Sequence, residues 1–304
     1  MEDAKRGVNG HSALLLESAL QFIKDNDYTP ISINSLVDAL LTGASLPKRA
    51  VAFTLDDGFY DQAEYAFPLF ERFQVPATIF MVTNMMDFGA WSWDFRLDYI
   101  ITQTNMQSVS IILDDTPFSA ELKTPKMKRM FIRKVRYYLK AKPESIAYQA
   151  VNHLADQLRI VINEKAPETY QAIQWSQARA LESEYIQFGP HTCSHPILTR
   201  LSGEDSRHEI EFSWQRIKTE LSNPCPVFCY PTGRPKLDFG EREKKIVSNL
   251  GLKAALSTEP GYVENTLNKN DLFSLKRFSF PDNLAHFKQY CSWIERAKDK
   301  LLYR

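Results

Sequence analysis

The sequence has no charge excess: 37 Lys and Arg balance 37 Asp and Glu over 304 residues. A chain without a global field gives no reason to expect nucleic acid or an acidic polymer as partner. Cysteine is scarce, four in all, and one of them, Cys193, falls between two histidines. The other three show no framework spacing, so free thiols in a reducing compartment are expected rather than disulfides. No run approaches the roughly 18 apolar residues of a membrane span. The opening stretch, MEDAKRGVNGHSALLLESAL, is acidic from the start and broken by Glu17, unlike a secretory signal. The expected location is therefore cytoplasmic. Internal repeats, low-complexity tracts and flexible linkers are missing too. What remains, 44% hydrophobic and 24% charged, is ordinary for a globular chain, long enough for one α/β barrel or two smaller domains.

The most informative stretch is Ala50–Asp61, AVAFTLDDGFYD. Its apolar, β-rich start reads as a short buried strand that stops at Asp56-Asp57-Gly58. Adjacent carboxylates at the end of a core strand are costly to bury without a task. On its own, DDG reads equally as an Asp-rich turn with one Asp capping the next helix. A second stretch changes the balance. After the strand-like Tyr185–Phe188 comes His191-Thr192-Cys193-Ser194-His195. Two histidines four apart, with a carboxylate elsewhere, match the ligand set of an open catalytic metal site. HxxxH alone would read as a helix cap or core histidines.

TLDDG, HTCSH and the later FCYPTG (Phe228–Gly233) resemble three successive motifs of the NodB-like polysaccharide deacetylases, in that family's order. Val75–Val82, Glu209-Ile210 and Ala254–Gly261 are similar to the intervening family segments, and the resemblance spans roughly residues 20–280. It implies a distorted (β/α) barrel and a hydrolase that removes acetyl groups, N- or O-linked, from a carbohydrate. It also implies one divalent ion, Zn²⁺ first with Co²⁺ or another as alternative, on Asp57, His191 and His195. A metal held by two imidazoles and a carboxylate lowers the pKa of bound water and polarises the carbonyl. Asp56 would then be the general base, Thr192 would orient the ligand loop, and a backbone N–H at Thr232 would help hold the oxyanion. For Pro231-Thr232-Gly233 the alternative is a Pro-Gly turn without a catalytic part.

Two departures stand out. Many members carry Arg where this chain has Cys229, an Arg that pairs with the base, and their Leu-and-His motif supplying an acid has no clear equivalent. Arg277, in SLKRF on the expected last strand, is the candidate to replace the missing charge beside Asp56; a surface Arg is the alternative. His286 reads as a solvent-facing helix histidine, with a remote general acid as the alternative, and His11, His153 and His208 as structural or exposed. A glycan-binding barrel without catalysis and an amidase acting on a small non-sugar amide stay open as rival functions.

Around these motifs, helices are expected at Ser12–Asp25, Ile33–Leu41 and Asp61–Gln74, the last kinked at Pro68, with a strand at Val75–Val82. Strand–helix–strand with carboxylates at the crossover favours a parallel sheet with its site at the strands' C-terminal ends. Residues 88–174 read as a mainly helical insertion in a single catalytic domain, with a hairpin about Asp114–Pro117 and no separate chemistry. Within it, Lys123–Lys142 holds nine Lys or Arg and no acid. That reads as the solvated face of an amphipathic helix with Met127, Met130, Phe131, Val135 and Tyr138 inward, or as a basic face for peripheral membrane contact or an anionic glycan or nucleotide. Alternation resumes at Trp175, with a last strand expected at Leu272–Phe280 and a closing helix at Asn283–Leu302.

Overall fold

The computed structural model describes residues 11–264, 271–292, 295 and 297. Helix α1 (Ala13–Asp25) buries Ala19, Leu20 and Ile23. A two-residue strand β1 (Thr29–Pro30) follows, then α2 (Ile33–Thr42). The Ser32 hydroxyl caps α2 by accepting from the Ser35 N–H, and Gly43 ends it in the left-handed region at φ 73°. Strand β2 (Ala50–Val51) pairs with β1 in parallel, and β3 (Phe53–Asp57) follows one residue later. The helix expected over Asp61–Gln74 is divided: a π-helical turn at Gln62–Ala66 runs into α3 (Phe67–Phe73). Pro68 has no N–H for the preceding turn, and the widened turn falls where the regular ladder is interrupted.

Strand β4 (Ala77–Met81) is buried throughout, whereas β3, expected to be buried, is half-exposed along its whole length. The reason is position: β3 is the edge of a three-stranded parallel sheet, order β3-β4-β7, where β7 is Ile186–Pro190. Between β4 and β7 come α4 (Thr83–Phe88) and α5 (Trp93–Gln103). The hairpin β5 (Ser108–Leu113) and β6 (Thr116–Glu121) turns through Asp114 and Asp115, with φ 45° and 60° as a two-residue type I′ loop requires. Helices α6 (Pro125–Leu139) and α7 (Glu144–Leu158) complete a cluster with its own apolar core, including Leu97, Ile101, Phe131, Val135, Val151 and Leu154.

The basic segment is α6. Its inward stripe is Phe131, Ile132, Val135 and Leu139. Met127 and Met130, expected inward, are 39% and 63% exposed. Met130 lies off the stripe and Met127 precedes it, in the helix's first turn. Part of the charge is used internally. Lys128 Nζ donates to the Thr102 and Thr104 carbonyls at 3.0 and 2.7 Å at the end of α5, and Arg136 and Lys142 pair with Asp98 and Asp114.

The chain re-enters the barrel through α8 (Trp175–Leu181), β7, α9 (Gly203–Glu220), β8 (Val227–Cys229), α10 (Glu241–Asn249) and β9 (Ala254–Leu256). Strands β8 and β9 are parallel, and the Cys225 N–H donates to Phe188 O at 2.8 Å, setting β8 beside β7. At Gly189 a Cβ would lie 2.9 Å from the Phe80 ring and 3.0 Å from Val227 O, so only glycine lets β7 sit this close between its neighbours. The barrel is a distorted (β/α) barrel with a core of Phe67, Phe70, Ile79, Phe188, Trp214 and Phe228 among others. The strand expected at Leu272–Phe280 is not regular: a 3₁₀ turn at Asp271–Ser274 leads to a single bridge, Leu275 with Leu256. Strand β9 is three residues long, which leaves little to pair with. The ring is therefore joined across the seam between β3 and residues 277–280 by side chains. Of the closing helix, α11 (Leu284–Tyr290) is described, and most of the expectation beyond it lies outside the described residues. No helix among the described residues is long and apolar enough to cross a membrane.

Candidate metal centre and active site

Three strand ends converge. Asp57 closes β3 at φ 74°, and Gly58 follows at the same φ, with any Cβ there 2.4 Å from Met81 Sδ. The insertion's return segment pins this turn: the Ile173 N–H donates to Gly58 O and the Tyr60 N–H to Gln171 O. After β7, the His191 N–H donates to Met81 O at 3.0 Å, and Thr192 O accepts from the Thr83 N–H. Thr192 and His195 also have positive φ, 70° and 63°, as does Thr232 beyond β8 at 54°. Non-glycine residues held in the left-handed region cost energy, and their gathering at one end of the barrel marks a site the rest of the fold sustains.

The histidine loop is held from α9. The Glu209 carboxylate accepts from the Cys193 and Ser194 N–H groups, both at 2.9 Å, and from Ser194 Oγ at 2.7 Å. Thr192 Oγ1 accepts from the His195 N–H at 3.0 Å. These contacts fix where His195 points. Groups behind metal ligands typically change affinity about 10–100-fold when lost, so Glu209→Ala should weaken divalent-ion binding by that order. Titration of apo-protein with Zn²⁺ or Co²⁺ checks it; unchanged affinity would give Glu209 a purely structural part.

The imidazoles face Asp57. Its Oδ1 lies 3.7 Å from His191 Nε2 and 3.5 Å from His195 Nε2. His191 Nδ1 is 2.7 Å from Cys229 O, a contact made by a protonated Nδ1, which leaves the Nε2 lone pair directed at Asp57. Burial pushes His191 down to about 4, so it is neutral near pH 7. Burial pushes Asp57 up to about 6, and the Asp56 and Asp94 charges add to it against His195 and Arg277. Asp57 Oδ1 is buried with no hydrogen-bond partner among the described residues. An orphaned carboxylate oxygen facing two imidazole nitrogens, all within 4.8 Å of one another, is a donor set that fits a divalent cation. Asp56, His191 and Cys229 are equally close, but both Asp56 oxygens are already engaged.

Their partner is Arg277. Nη1 donates to Asp56 Oδ1 at 2.8 Å and to Thr54 Oγ1 at 3.0 Å, Nη2 donates to Asp56 Oδ2 at 2.5 Å, and Nε donates to Ser257 O. Cys229 Sγ lies beside both, 3.6 Å from Asp56 and 3.1 Å from Arg277. Burial alone would raise the Asp56 pKa, but the guanidinium's charge and hydrogen bonds outweigh it and hold the carboxyl well below its ordinary value. The guanidinium thus comes from the far side of the seam, with the Cys229 thiol where the resemblance leads us to expect Arg.

Thr232 lies across a small cavity of about 90 Å³ from His195, its Oγ1 buried and unpartnered among the described residues. Asp94, Lys140 and Glu144 of the insertion line the same space. Asp94 had no signal in the sequence. Ser92 Oγ and the Phe95 N–H donate to its carboxyl, and the charges of His195 and Arg136 hold it below its ordinary value against the effect of burial. The insertion, expected to carry no separate chemistry, supplies part of the wall of this cavity. Of the other histidines, His286 is exposed in the first turn of α11 and His11 lines a larger cavity beside Asp56.

The parallel barrel thus brings paired Asp at one strand end and two histidines at another to one site. The polysaccharide deacetylase family model matches residues 43–255, and the chain belongs to that family. A 72-residue stretch is 33% identical to poly-β-1,6-N-acetyl-D-glucosamine N-deacetylase of Escherichia coli K12, covering 24% of this chain and 11% of that relative. The chain thus spans about a tenth of that protein's length. Among solved structures, the Streptococcus pyogenes deacetylase PplD in complex with acetate superposes with a TM-score of 0.62 at 17% identity, over 96% of this chain and 93% of that one. IcaB from Ammonifex degensii gives 0.57 at 14% identity, over 93% and 88%. At these identities the structural likeness speaks for the fold.

Proposed function

We propose that the protein hydrolyses the acetyl amide of an acetylated carbohydrate at a divalent-metal centre held by Asp57, His191 and His195. The observation that carries this reading is the buried, unpartnered Asp57 Oδ1 between two imidazole nitrogens. A bound divalent ion, Zn²⁺ by its preference for N/O ligands, would supply a Lewis acid for the carbonyl and water of lowered pKa. The chain's own groups do the rest. Asp56, ionised and oriented by Arg277, takes the proton from the attacking water. The Thr232 N–H is offered to the carbonyl oxygen as it gains charge. The Cys229 carbonyl keeps His191 in the tautomer a ligand needs. Arg277 in the place of the usual Arg supports catalysis over mere glycan binding, since a binding site has no use for a charge-balanced base. Four free cysteines fit a reducing compartment, where we place the activity.

The relative named above makes N-acetylglucosamine oligomers the first probes. Purified protein should release acetate from them, stop on chelation and resume with Zn²⁺ or Co²⁺. The His191→Ala/His195→Ala double variant should lose both the ion and the activity. An ion retained by that double variant would sink the ligand assignment.

A further inference from the structure

The outer face of α6 takes no part in the site. The helix turns Phe131, Ile132, Val135 and Leu139 to the core, and Lys126, Met130, Arg133 and Tyr137 form the line opposite them. Arg129 and Lys134 flank that line, and all six residues are exposed. The ion pairs made by this segment use Lys123, Arg136 and Lys142. Lys126, Arg129, Arg133 and Lys134 are left without an acidic partner among the described residues; Lys134 Nζ lies 5.4 Å from the centre of the Phe118 ring. One helix face thus carries a local positive field that the chain, of zero net charge, does not carry as a whole. Set among these cations are two apolar side chains, Met130 and Tyr137, the latter 78% exposed. The face is also preformed. Its inner stripe is buried, the Thr124 hydroxyl caps the first turn and Lys128 ties the helix to the end of α5, so little ordering is needed on binding.

We propose that this face docks on an anionic membrane surface, with the four cations against lipid phosphates and Met130 and Tyr137 in the headgroup layer. Charge complementarity selects an anionic partner, and the two apolar side chains select a lipid one. A nucleic acid or an anionic glycan would pair with the cations but offer a methionine nothing to enter. A bilayer interface takes both side chains, and tyrosine rings favour that depth. The contact is peripheral. The helix's apolar stripe is already buried in the core, so attachment rests on the basic patch and two shallow side chains and is reversible and sensitive to salt. Just beyond Tyr137, Leu139 and Lys140 line the small cavity beside His195, so the docked helix ends at the wall of the site.

Sedimentation of the full chain with vesicles tests this. It should pellet with phosphatidylcholine vesicles that contain phosphatidylglycerol, hardly at all with phosphatidylcholine alone, and should be released by salt. Each cation removed should weaken binding about fivefold, the factor equivalent to about 1 kcal/mol per basic residue near an anionic surface, so Arg129→Gln/Arg133→Gln should lose about 25-fold. Met130→Ser/Tyr137→Ser should also weaken vesicle binding, while any binding of RNA or heparin, used as soluble polyanions, stays as in wild type. Both double variants change exposed side chains only, so circular dichroism and acetate release from soluble N-acetylglucosamine oligomers should match wild type. Docking and hydrolysis are thereby read separately. Vesicle binding that is indifferent to phosphatidylglycerol, or unchanged in the arginine variant, would overturn the inference. So would RNA or heparin binding that the arginine variant loses while wild type leaves the vesicles unbound.

Discussion

Asp56→Asn should leave about one divalent ion bound per chain and lower turnover by at least about 10²-fold, the lower end of what a positioned general base contributes. The geometry separates this residue from its neighbour. Asp57 offers the two imidazoles a buried oxygen with no hydrogen-bond partner among the described residues, whereas both Asp56 oxygens are bonded to Arg277. A carboxylate so engaged is a poor ligand and a well-oriented base. Asparagine preserves shape and removes the charge and the basic lone pair, so the ligand set has no reason to open. Metal analysis beside steady-state kinetics decides it. Loss of the ion together with activity would make Asp56 a ligand and exchange the two roles. Asp57→Asn serves as the contrast, since it should release the ion.

The legible parts of this site were those where chemistry interrupts a pattern. A β-rich run that ends in Asp-Asp-Gly, and another that ends in His-x-x-x-His, put their polar residues at strand ends, and the fold brings those ends together. Arg277 could be proposed because a base needs a counter-charge and few basic residues stand late in the barrel. Glu209 was visible only as part of a resemblance, because its three hydrogen bonds to residues 193 and 194 depend on how α9 packs, not on spacing. Asp94 lies inside Trp-Ser-Trp-Asp with no periodic or motif signal, and its role follows from the insertion folding back over His195. The two-residue strands β1 and β2 are too short for any alternation to show. The half-exposure of β3 was hidden for a different reason. An apolar run reads as buried on both faces, and a single strand's composition does not tell whether its second neighbour exists.

That missing neighbour makes Arg277 the joint of the seam, and Arg277→Met should show it. Asp56 and Arg277 are 29% and 18% exposed, so their pair is largely sheltered from solvent. Removing one partner of such a pair leaves an uncompensated carboxylate, a change that typically costs about 3–5 kcal/mol. The pH dependence gives the sign. With Arg277 in place, the folded-state pKa of Asp56 lies below its unfolded value. The pair's contribution to stability is therefore present above the unfolded carboxylate value and is lost as pH falls through the folded one. Without Arg277, burial is left to raise the Asp56 pKa above the unfolded value, so the carboxylate then destabilises the fold as pH rises through that range. The stability gap between wild type and variant should thus be small in acid and widen towards neutrality in denaturant titrations. Kinetically, the acidic limb of the pH–rate profile should move upward, because the base now loses its proton at higher pH, while the bound ion is retained. Arg277→Lys, keeping a charge but not the two-pronged contact, should fall between. A stability gap of constant size across pH, with an unmoved acidic limb, would show that Asp56 is charge-balanced from elsewhere.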